Sequence, residues 1–279
     1  MSVIIPTCRA GPHLAACLAA LERQTVPRQA YELIVVVDGA VDPSLEVPFR
    51  QPGTNKFVLS QPQAGAGAAR NLGAAHAQGD LLLFIDDDCI AEPDWMEAIT
   101  VPFAEEKVVG VGGRICTHQS GLVPRYVQLE YDRRYERIAG QDQIDFISTA
   151  TAAYRRRVFE ACGGFDEGLQ GAEDMELSYR LAHEGHKMVF APGALVYHAH
   201  PTSLWGYARR KAHYGFWRMA VYGKHPQKAV ADSRTPQTQK LQIGLVCLLA
   251  GAFAGIPFWR GLVWLAGALA ALFLLLALP

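Results

Sequence analysis

Two apolar runs in this chain stop abruptly at acidic residues. Tyr31 to Val37 (Tyr-Glu-Leu-Ile-Val-Val-Val) ends at Asp38-Gly39, and Leu81 to Ile85 ends at Asp86-Asp87-Asp88. Both are too short for a helix, and both read as strands of a parallel sheet covered on its two faces. Val3 to Pro6 is a third such run, and Phe57 to Ser60 a weaker fourth. Helical patterns lie between them. Leu14, Cys17, Leu18 and Leu21 form a one-sided stripe, and Ala66 to Ala77 is Ala-rich and opens after Gly65 and Gly67. Pro93 is placed to begin a helix through Trp95, Met96 and Ile99, and Val108 to Val111 supplies the next strand. Alternation over the first hundred or so residues predicts an α/β fold, with a mostly parallel central sheet flanked by helices. Ligands of such sheets collect beyond the carboxyl ends of the strands, near a switch point. Asp38 and the Asp86–Asp88 cluster lie at two of those ends.

The middle of the chain is less regular. Residues 121–140 carry Tyr126, Leu129, Tyr131 and Tyr135 and are expected to be helical, and residues 145–154 extended. Gly163-Gly164-Phe165-Asp166 reads as a turn. Residues 174–184 read as a helix stopped by Gly185, and Val189 and Val196 mark two short strands. The aromatic group Trp205, Tyr207, Tyr214, Phe216 and Trp217 is interleaved with Arg209, Arg210, Lys211 and Arg218. It fits an interfacial belt, an acceptor lid or a packing face, and the basic residues favour a face near a membrane.

The tail differs in kind. Residues 241–255 are almost wholly apolar, Ile256-Pro257-Phe258-Trp259-Arg260 interrupts them, and residues 261–278 carry no charge. A membrane span needs about 20 apolar residues. The expectation is a transmembrane helical hairpin over 241–279, a juxtamembrane linker over 226–240, and a folded domain over 1–225. Lys224, Lys228, Arg234 and Lys240 precede the hairpin, and by the positive-inside rule that flank is cytoplasmic. The chain opens directly into a strand rather than a leader pattern. These features place the protein at the inner membrane of the cell, with its folded domain facing the cytoplasm. The six cysteines form no Cys-x-x-Cys pair, and their scatter suits free thiols in a reducing compartment. A net charge of −1 gives no footprint for nucleic acid. The basic runs Arg155–Arg157 and Arg209–Lys211 fit either solvated helix ends or phosphate contacts.

Three adjacent carboxylates at a buried strand end repel one another, and a hard divalent cation such as Mn²⁺ or Mg²⁺ relieves this by binding their oxygens. A solvated loop is the plainer alternative. If the backbone stays extended, Asp86 and Asp88 point to the same side. His198 and His200, two apart on an expected strand, can also face one way, although both could equally be core histidines. Glu173-Asp174 begins a helix, where carboxylates are stabilised in their ionised form and where simple capping is the alternative role.

In order along the chain stand Val3-Ile4-Ile5-Pro6-Thr7, Val37-Asp38-Gly39, Ala69-Arg70-Asn71-Leu72-Gly73, Phe84-Ile85-Asp86-Asp87-Asp88, Gly163-Gly164-Phe165-Asp166-Glu167 and Glu173-Asp174. Together, over roughly residues 2–200, they resemble the inverting family 2 glycosyltransferases of GT-A fold, many of them membrane-anchored and bacterial. The resemblance implies a nucleotide-sugar donor (a UDP-, GDP- or dTDP-sugar), a divalent metal and a hydroxyl acceptor. Pro6, Thr7 and Asp38 match positions around the donor nucleoside, and Arg70 a position in the donor pocket. Asp86, Asp87 and Asp88 match the D-x-D motif, its first acid near the ribose or sugar and its last at the metal. Asp174 matches the catalytic base, and His198 a further metal or phosphate ligand. One departure is Val37-Asp38-Gly39-Ala40, where many relatives carry two acids followed by Gly-Ser; Asp38 remains for base recognition, and a different pocket is an expectation.

Chemistry favours the same roles. Displacement at an anomeric carbon passes through an oxocarbenium-like state, with charge growing on the leaving diphosphate. An acceptor hydroxyl attacking the opposite face needs a carboxylate base. A hydrophobic tail beside such a domain points to a lipid-linked or glycan acceptor at the membrane. Among rivals, a nucleotidyltransferase would have a Gly-rich loop after the first strand, where Thr7-Cys8-Arg9-Ala10-Gly11 has a single Gly. A dinucleotide-binding oxidoreductase would need a third Gly beyond Gly65-x-Gly67. A non-catalytic membrane-anchored relative is the remaining alternative.

Overall fold

The structure, a computed structural model, describes residues 1–9, 11–40, 55–230, 232–233, 235 and 237–277. Cys8 of the first loop lies among these, whereas Arg234 of the basic flank lies outside them. The chain divides into two units, Met1–Pro226 and Gln227–Pro279.

In the first unit, β1 (Ser2–Thr7), β2 (Glu32–Asp38), β3 (Lys56–Gln61) and β4 (Leu81–Ile85) are followed by β5 (Cys89–Ala91), β6 (Val108–Cys116), β7 (Thr151–Arg155) and β8 (Lys187–His198). They form one sheet in the order β3-β2-β1-β4-β7-β6-β8-β5. The first four run parallel, β7 is antiparallel to β4 and β6, β8 is parallel to β6, and β5 is antiparallel to β8. The parallel half is as expected, since every residue of β1 and β2 is buried. Their side chains feed two apolar layers. Ile5, Leu33, Val35 and Leu83 pack with α1 (Pro12–Leu21) and Trp95, and Ile4, Ile34, Val36 and Phe84 pack with α2 (Ala66–His76).

The mixed half departs from the sequence expectations for physical reasons. β5 has three residues, too few to show a period. The two strands expected around Val189 and Val196 are one, because pairing with β6 continues past Pro192-Gly193 with a register shift between Gly112 and Arg114. The extended segment of 145–154 is a strand only from Thr151. Pro93 precedes its helix rather than opening it, with α3 spanning Trp95–Thr100. Further helices are α4 (Leu122–Ile138), α5 (Arg156–Ala161), α6 (Glu173–His183) and α7 (Leu204–Lys224), and the short α8 (Pro226–Val230) falls at the boundary with the second unit. Arg155 of the first basic run has a structural task, donating to the carbonyls of Val108 and Phe103 at 2.8 and 2.7 Å.

In the second unit, α9 (Gln237–Gly255) and α10 (Leu262–Ala277) pack side by side, with Ala252 and Ala266 buried. The hairpin therefore forms, but the expected membrane crossing is not supported. Among the described residues no helix is long and apolar enough to cross a membrane. α9 spends its first turns on Gln237, Gln239, Lys240 and Gln242, which leaves too short an apolar stretch. α10 has 16 residues, which is about 24 Å of helix against a hydrocarbon core of about 30 Å. Phe258, Trp259 and Trp264 are exposed.

The strand order reverses direction at β1, with β2 on one side of it and β4 on the other. Beyond Ile4, β1 pairs with β2 alone, so the strands part at their carboxyl ends and Pro6 lies in the parting. The close seat of α2 on β1 depends on Gly73, where a Cβ would lie 2.5 Å from Ile4 Cγ2 and 3.1 Å from Val36 Cγ2. Gly73→Ala is expected to destabilise the fold by about 1–3 kcal/mol through overpacking. The measurement is the urea midpoint at unchanged m-value, and an unaltered midpoint would show that α2 can lift away freely.

Candidate active site

Asp86, Asp87 and Asp88 follow β4 as a turn, closed by Cys89 N–H donating to Asp86 O at 3.1 Å. The backbone is therefore not extended here, and the same-side expectation for Asp86 and Asp88 does not apply. The turn sends the three carboxylates to three partners. Asp86 Oδ1 accepts from Arg70 Nη2 at 2.6 Å, Asp87 Oδ2 accepts from Thr7 Oγ1 at 2.5 Å, and Asp88 Oδ2 lies 3.3 Å from His198 Nε2. Burial pushes the Asp87 carboxyl up, against the Thr7 hydrogen bond that draws it down. Burial also pushes Asp88 up, with His198 opposing.

Arg70, on the buried face of α2, is only 4% exposed. Its Nη1 donates to Glu173 Oε1 at 2.7 Å, so one guanidinium joins the end of β4 to the start of α6. The Phe165 ring lies beneath it, 5.8 Å from the guanidinium carbon. Burial works against the charge, but the two carboxylates more than offset that and push the pKa up. Neighbouring Asn71 holds the same turn, with Oδ1 accepting from Phe165 N and Nδ2 donating to Phe165 O, both at 2.9 Å. Two segments nearly a hundred residues apart in sequence are thus locked together.

β5 and β8 build the other side. Their register pairs Cys89 with His198, which sets Asp88 beside that imidazole. The Asp88, Cys89 and His198 ligand atoms all lie within 4.8 Å of one another. The Asp88–His198 separation suits two oxygen or nitrogen ligands of one cation at ~2.1 Å. His198 Nδ1 is buried without a partner among the described residues. The residues present therefore fit a divalent ion. Cys89 is fully buried, and that burial raises its thiol pKa well above the ordinary value. His200 belongs to the core instead. It stacks on Tyr131, its Nε2 is 3.1 Å from Gln128 Oε1, and burial lowers its pKa to about 4.

Asp38 is bound within the protein. Oδ1 accepts from Gln61 Nε2 at 2.9 Å and Ala64 N at 2.7 Å, and Oδ2 from Gly65 N at 2.9 Å. Pro6 and Thr7 end β1 beside it. At the start of α6, Ala172 is the one described non-glycine residue with positive φ, at 63°. That left-handed residue costs an alanine about 1 kcal/mol, and it turns the chain so that Glu173 meets Arg70. Asp174 follows, and its Oδ1 accepts from Met175 N at 2.8 Å.

α7 lies along this edge, and the sequence reading did not identify it as a helix. A Ser203 cap, whose Oγ accepts from Gly206 N at 3.0 Å, and the spacing Tyr207, Arg210, Tyr214, Trp217, Val221 were the available signals. The helix divides the aromatic group. Tyr207 OH donates to Glu130 at 3.0 Å and Trp217 packs by Gly171, whereas Trp205 and Phe216 are exposed. The Arg210 guanidinium sits 5.6 Å from the Tyr214 ring centre. The Tyr214 hydroxyl is raised by burial, against Arg210, and the charges of Asp174 and Asp86 add to the rise. Arg210 and Tyr214, weighed in the sequence only within a basic run and an aromatic group, thus join the candidate site.

The family model described as "Glycosyltransferase like family 2" matches residues 1–214. The chain belongs to glycosyltransferase family 2. A pre-mycofactocin glycosyltransferase of Mycobacterium tuberculosis is 30% identical over 215 residues, which cover 75% of this chain and 46% of that protein. The chain thus spans under half the length of that relative. The O-antigen chain rhamnosyltransferase RfbN of Salmonella typhimurium is 28% identical, over 72% of this chain and 66% of its own. Among solved structures, the mannosyltransferase PcManGT from Pyrobaculum calidifontis, in complex with GDP-Man and Mn²⁺, aligns with a TM-score of 0.67. It is 17% identical and covers 99% of this chain and 85% of that one. GalNAc-T7 with UDP, GalNAc and Mn²⁺ aligns at 0.59 and 19% identity, covering 83% of this chain and 51% of its own. These likenesses establish the GT-A type of α/β fold.

In this family 2 chain the structure sets Thr7, Asp38, Asp86, Asp87, Asp88 and His198 at or just past the ends of their strands, and links Asp86 through Arg70 to the helix start that carries Asp174. It adds Glu173, which sequence reading noted only as the neighbour of Asp174. Removing Arg70 would leave two carboxylates around an empty, buried space. Arg70→Met is expected to cost about 3 kcal/mol of stability. The double variant with Glu173→Gln should lose less than the sum of the two single changes, by roughly 1–2 kcal/mol. Denaturant unfolding of the four proteins measures this, and strict additivity would mean that the triad is not energetically coupled.

Proposed function

We propose that the chain is an inverting glycosyltransferase, moving a sugar from a nucleoside-diphosphate sugar to an acceptor hydroxyl. The observation that carries this reading is the Asp86–Arg70–Glu173 bridge, which fixes the D-x-D turn and the Asp174 helix start in one frame. Asp174 acts as general base, taking the acceptor proton as the hydroxyl attacks the anomeric carbon from the face opposite the leaving diphosphate. Such a base contributes about 10²–10⁴-fold. Asp88 and His198 hold Mn²⁺ or Mg²⁺, which when bound stabilises charge on the leaving diphosphate. Arg210, within electrostatic reach of Asp88, adds a fixed positive charge on the same side. Thr7 and Asp38 border the nucleoside, with Pro6 shaping the strand end and Asp87 holding Thr7 in place. The donor is a UDP-, GDP- or dTDP-sugar. Support comes from the solved neighbours, whose complexes contain GDP-Man or UDP together with Mn²⁺.

The acceptor in this reading is lipid-linked or a glycan precursor at the cytoplasmic face of the inner membrane. The exposed apolar residues of the α9–α10 pair, with Phe258, Trp259 and Trp264 among them, suit a helix pair held in the membrane surface rather than across it.

Asp174→Asn is expected to abolish transfer, with kcat down at least about 10²-fold, while nucleotide binding persists. Unchanged turnover would remove Asp174 as the base. The nucleotide class is read by thermal shift of the full chain with a panel of nucleoside diphosphates. One class should shift the melting point in Mn²⁺ and lose its effect in EDTA or in His198→Ala. A shift indifferent to both would remove the metal from the donor site. Flotation with anionic vesicles tests the surface reading. The full chain should float, and Trp259→Ser with Trp264→Ser should weaken flotation, whereas equal flotation of both would place the contact elsewhere.

A further inference from the structure

Away from this site, at the far end of α6, three unlike side chains converge. Cys162 caps the end of α5, Glu184 caps α6, and His186 leads into β8. Two glycine-dependent turns bring them together. Gly163 and Gly164 follow Cys162 with φ of 82° and 69°, and Gly185, at φ 81°, separates Glu184 from His186. The α6 terminus is closed by His186 N donating to Leu181 O at 3.0 Å and Gly185 N to Ala182 O at 3.2 Å. That is a glycine-stopped helix end with the chain doubling back, and it places the residues before and after Gly185 on one side. Cys162 Sγ lies 3.3 Å from Glu184 Oε2, and the same oxygen is 3.6 Å from His186 Nε2. All three ligand atoms fall within 4.8 Å.

We propose that Cys162, Glu184 and His186 form a binding site for a borderline-soft divalent cation of the zinc class, separate from the donor site. The separations argue for it. Tetrahedral zinc, with Zn–S near 2.3 Å and Zn–N or Zn–O near 2.0–2.1 Å, has ligand–ligand edges of about 3.3–3.6 Å. One thiolate, one carboxylate and one neutral imidazole carry two negative charges, which match a dication. A thiolate with an imidazole selects zinc over Mg²⁺ or Mn²⁺. Arg180 does not occupy the position, because its guanidinium is committed to Glu176 at 2.7 and 3.0 Å and to the carbonyls of Cys162 and Gly164. Glu184 is exposed and His186 partly so, which leaves room for water as the fourth ligand. On binding, the Cys162 thiol gives its proton to solvent and the sulfur takes up the metal.

Such an ion would act as a clip. Cys162 is followed by the Gly163–Glu167 turn that carries Phe165 under Arg70, and Glu184 ends the helix that begins with Glu173-Asp174. The ion would tie the far ends of the two segments that Arg70 and Asn71 already join near the site.

Peptide-resolved thiol alkylation of the full chain tests this, since it reports Cys162 and Cys89 separately. Micromolar Zn²⁺ is expected to slow alkylation of Cys162 by about tenfold or more, with Mg²⁺ and Mn²⁺ ineffective. In His186→Asn, a change at a partly exposed ring, the protection should disappear. Cobalt(II) in place of zinc should give a thiolate charge-transfer band that Cys162→Ser abolishes and His198→Ala retains. Alkylation of Cys162 indifferent to Zn²⁺, or protection undiminished in His186→Asn, would overturn the proposal. A cobalt band that survives in folded Cys162→Ser would do so as well.

Discussion

One guanidinium, buried between two carboxylates that belong to different elements, sets the geometry of everything around it. Without Arg70, Asp86 and Glu173 would face each other across a space of low dielectric, where like charges repel most strongly. With it, each carboxylate receives a short charge-assisted hydrogen bond, at 2.6 and 2.7 Å, and the strand end and helix start are held at a fixed spacing. Burying an ion pair is a weak route to stability, since desolvation consumes most of the gain. Its use here is positional. The packing of α2 on β1 aims Arg70 inward, and the left-handed Ala172 turns the buried Glu173 to meet it. Asp174, the next residue, inherits its location from both.

The acidic triplet looks different once its partners are known. In sequence, three adjacent carboxylates call for a cation because they repel. In the fold, the turn divides them, with Asp86 neutralised by Arg70 and Asp87 hydrogen-bonded by Thr7. Only Asp88 remains with an imidazole rather than a fixed cation as its partner. The charge argument for a metal therefore narrows from three residues to one acid and the histidine that β5–β8 pairing delivers. That explains why His198 pairs with Asp88 while His200, two residues on, is absorbed into the core beneath Tyr131.

The parallel half of the fold was legible in sequence because strands buried on both faces have nothing to alternate with, and β-branched runs ending in Asp have few other readings. β5 was not, because three residues hold no period and its identity comes from pairing with β8. α7 was overlooked because its residues were read as an aromatic and basic composition rather than counted at helical spacing. The tail shows the opposite error. Hydropathy read over segments joined Gln242 and the uncharged run into spans, whereas the helices themselves are bounded by polar residues at one end and by length at the other. The motifs marked the residue types of the candidate site. Its couplings were not legible, because the Arg70–Glu173 contact spans 103 positions and no spacing rule reaches that far.

Asp38 shows how a residue can keep its place and change its burden. A carboxylate that reads a nucleoside needs free lone pairs, yet both Asp38 oxygens already accept from the chain, twice to the amides of Ala64 and Gly65. Those amides open α2, the helix that carries Arg70 five residues later. Any ligand drawing on Asp38 must share an oxygen that also anchors this helix start. Oδ2, with a single acceptor bond among the described residues, has the capacity for one more. A nucleoside hydroxyl or ring N–H reaching Oδ2 would then bear on the same short segment that aims the guanidinium. In the proposed reading, the base pocket and the acid–arginine frame are then mechanically one, joined through Gly65.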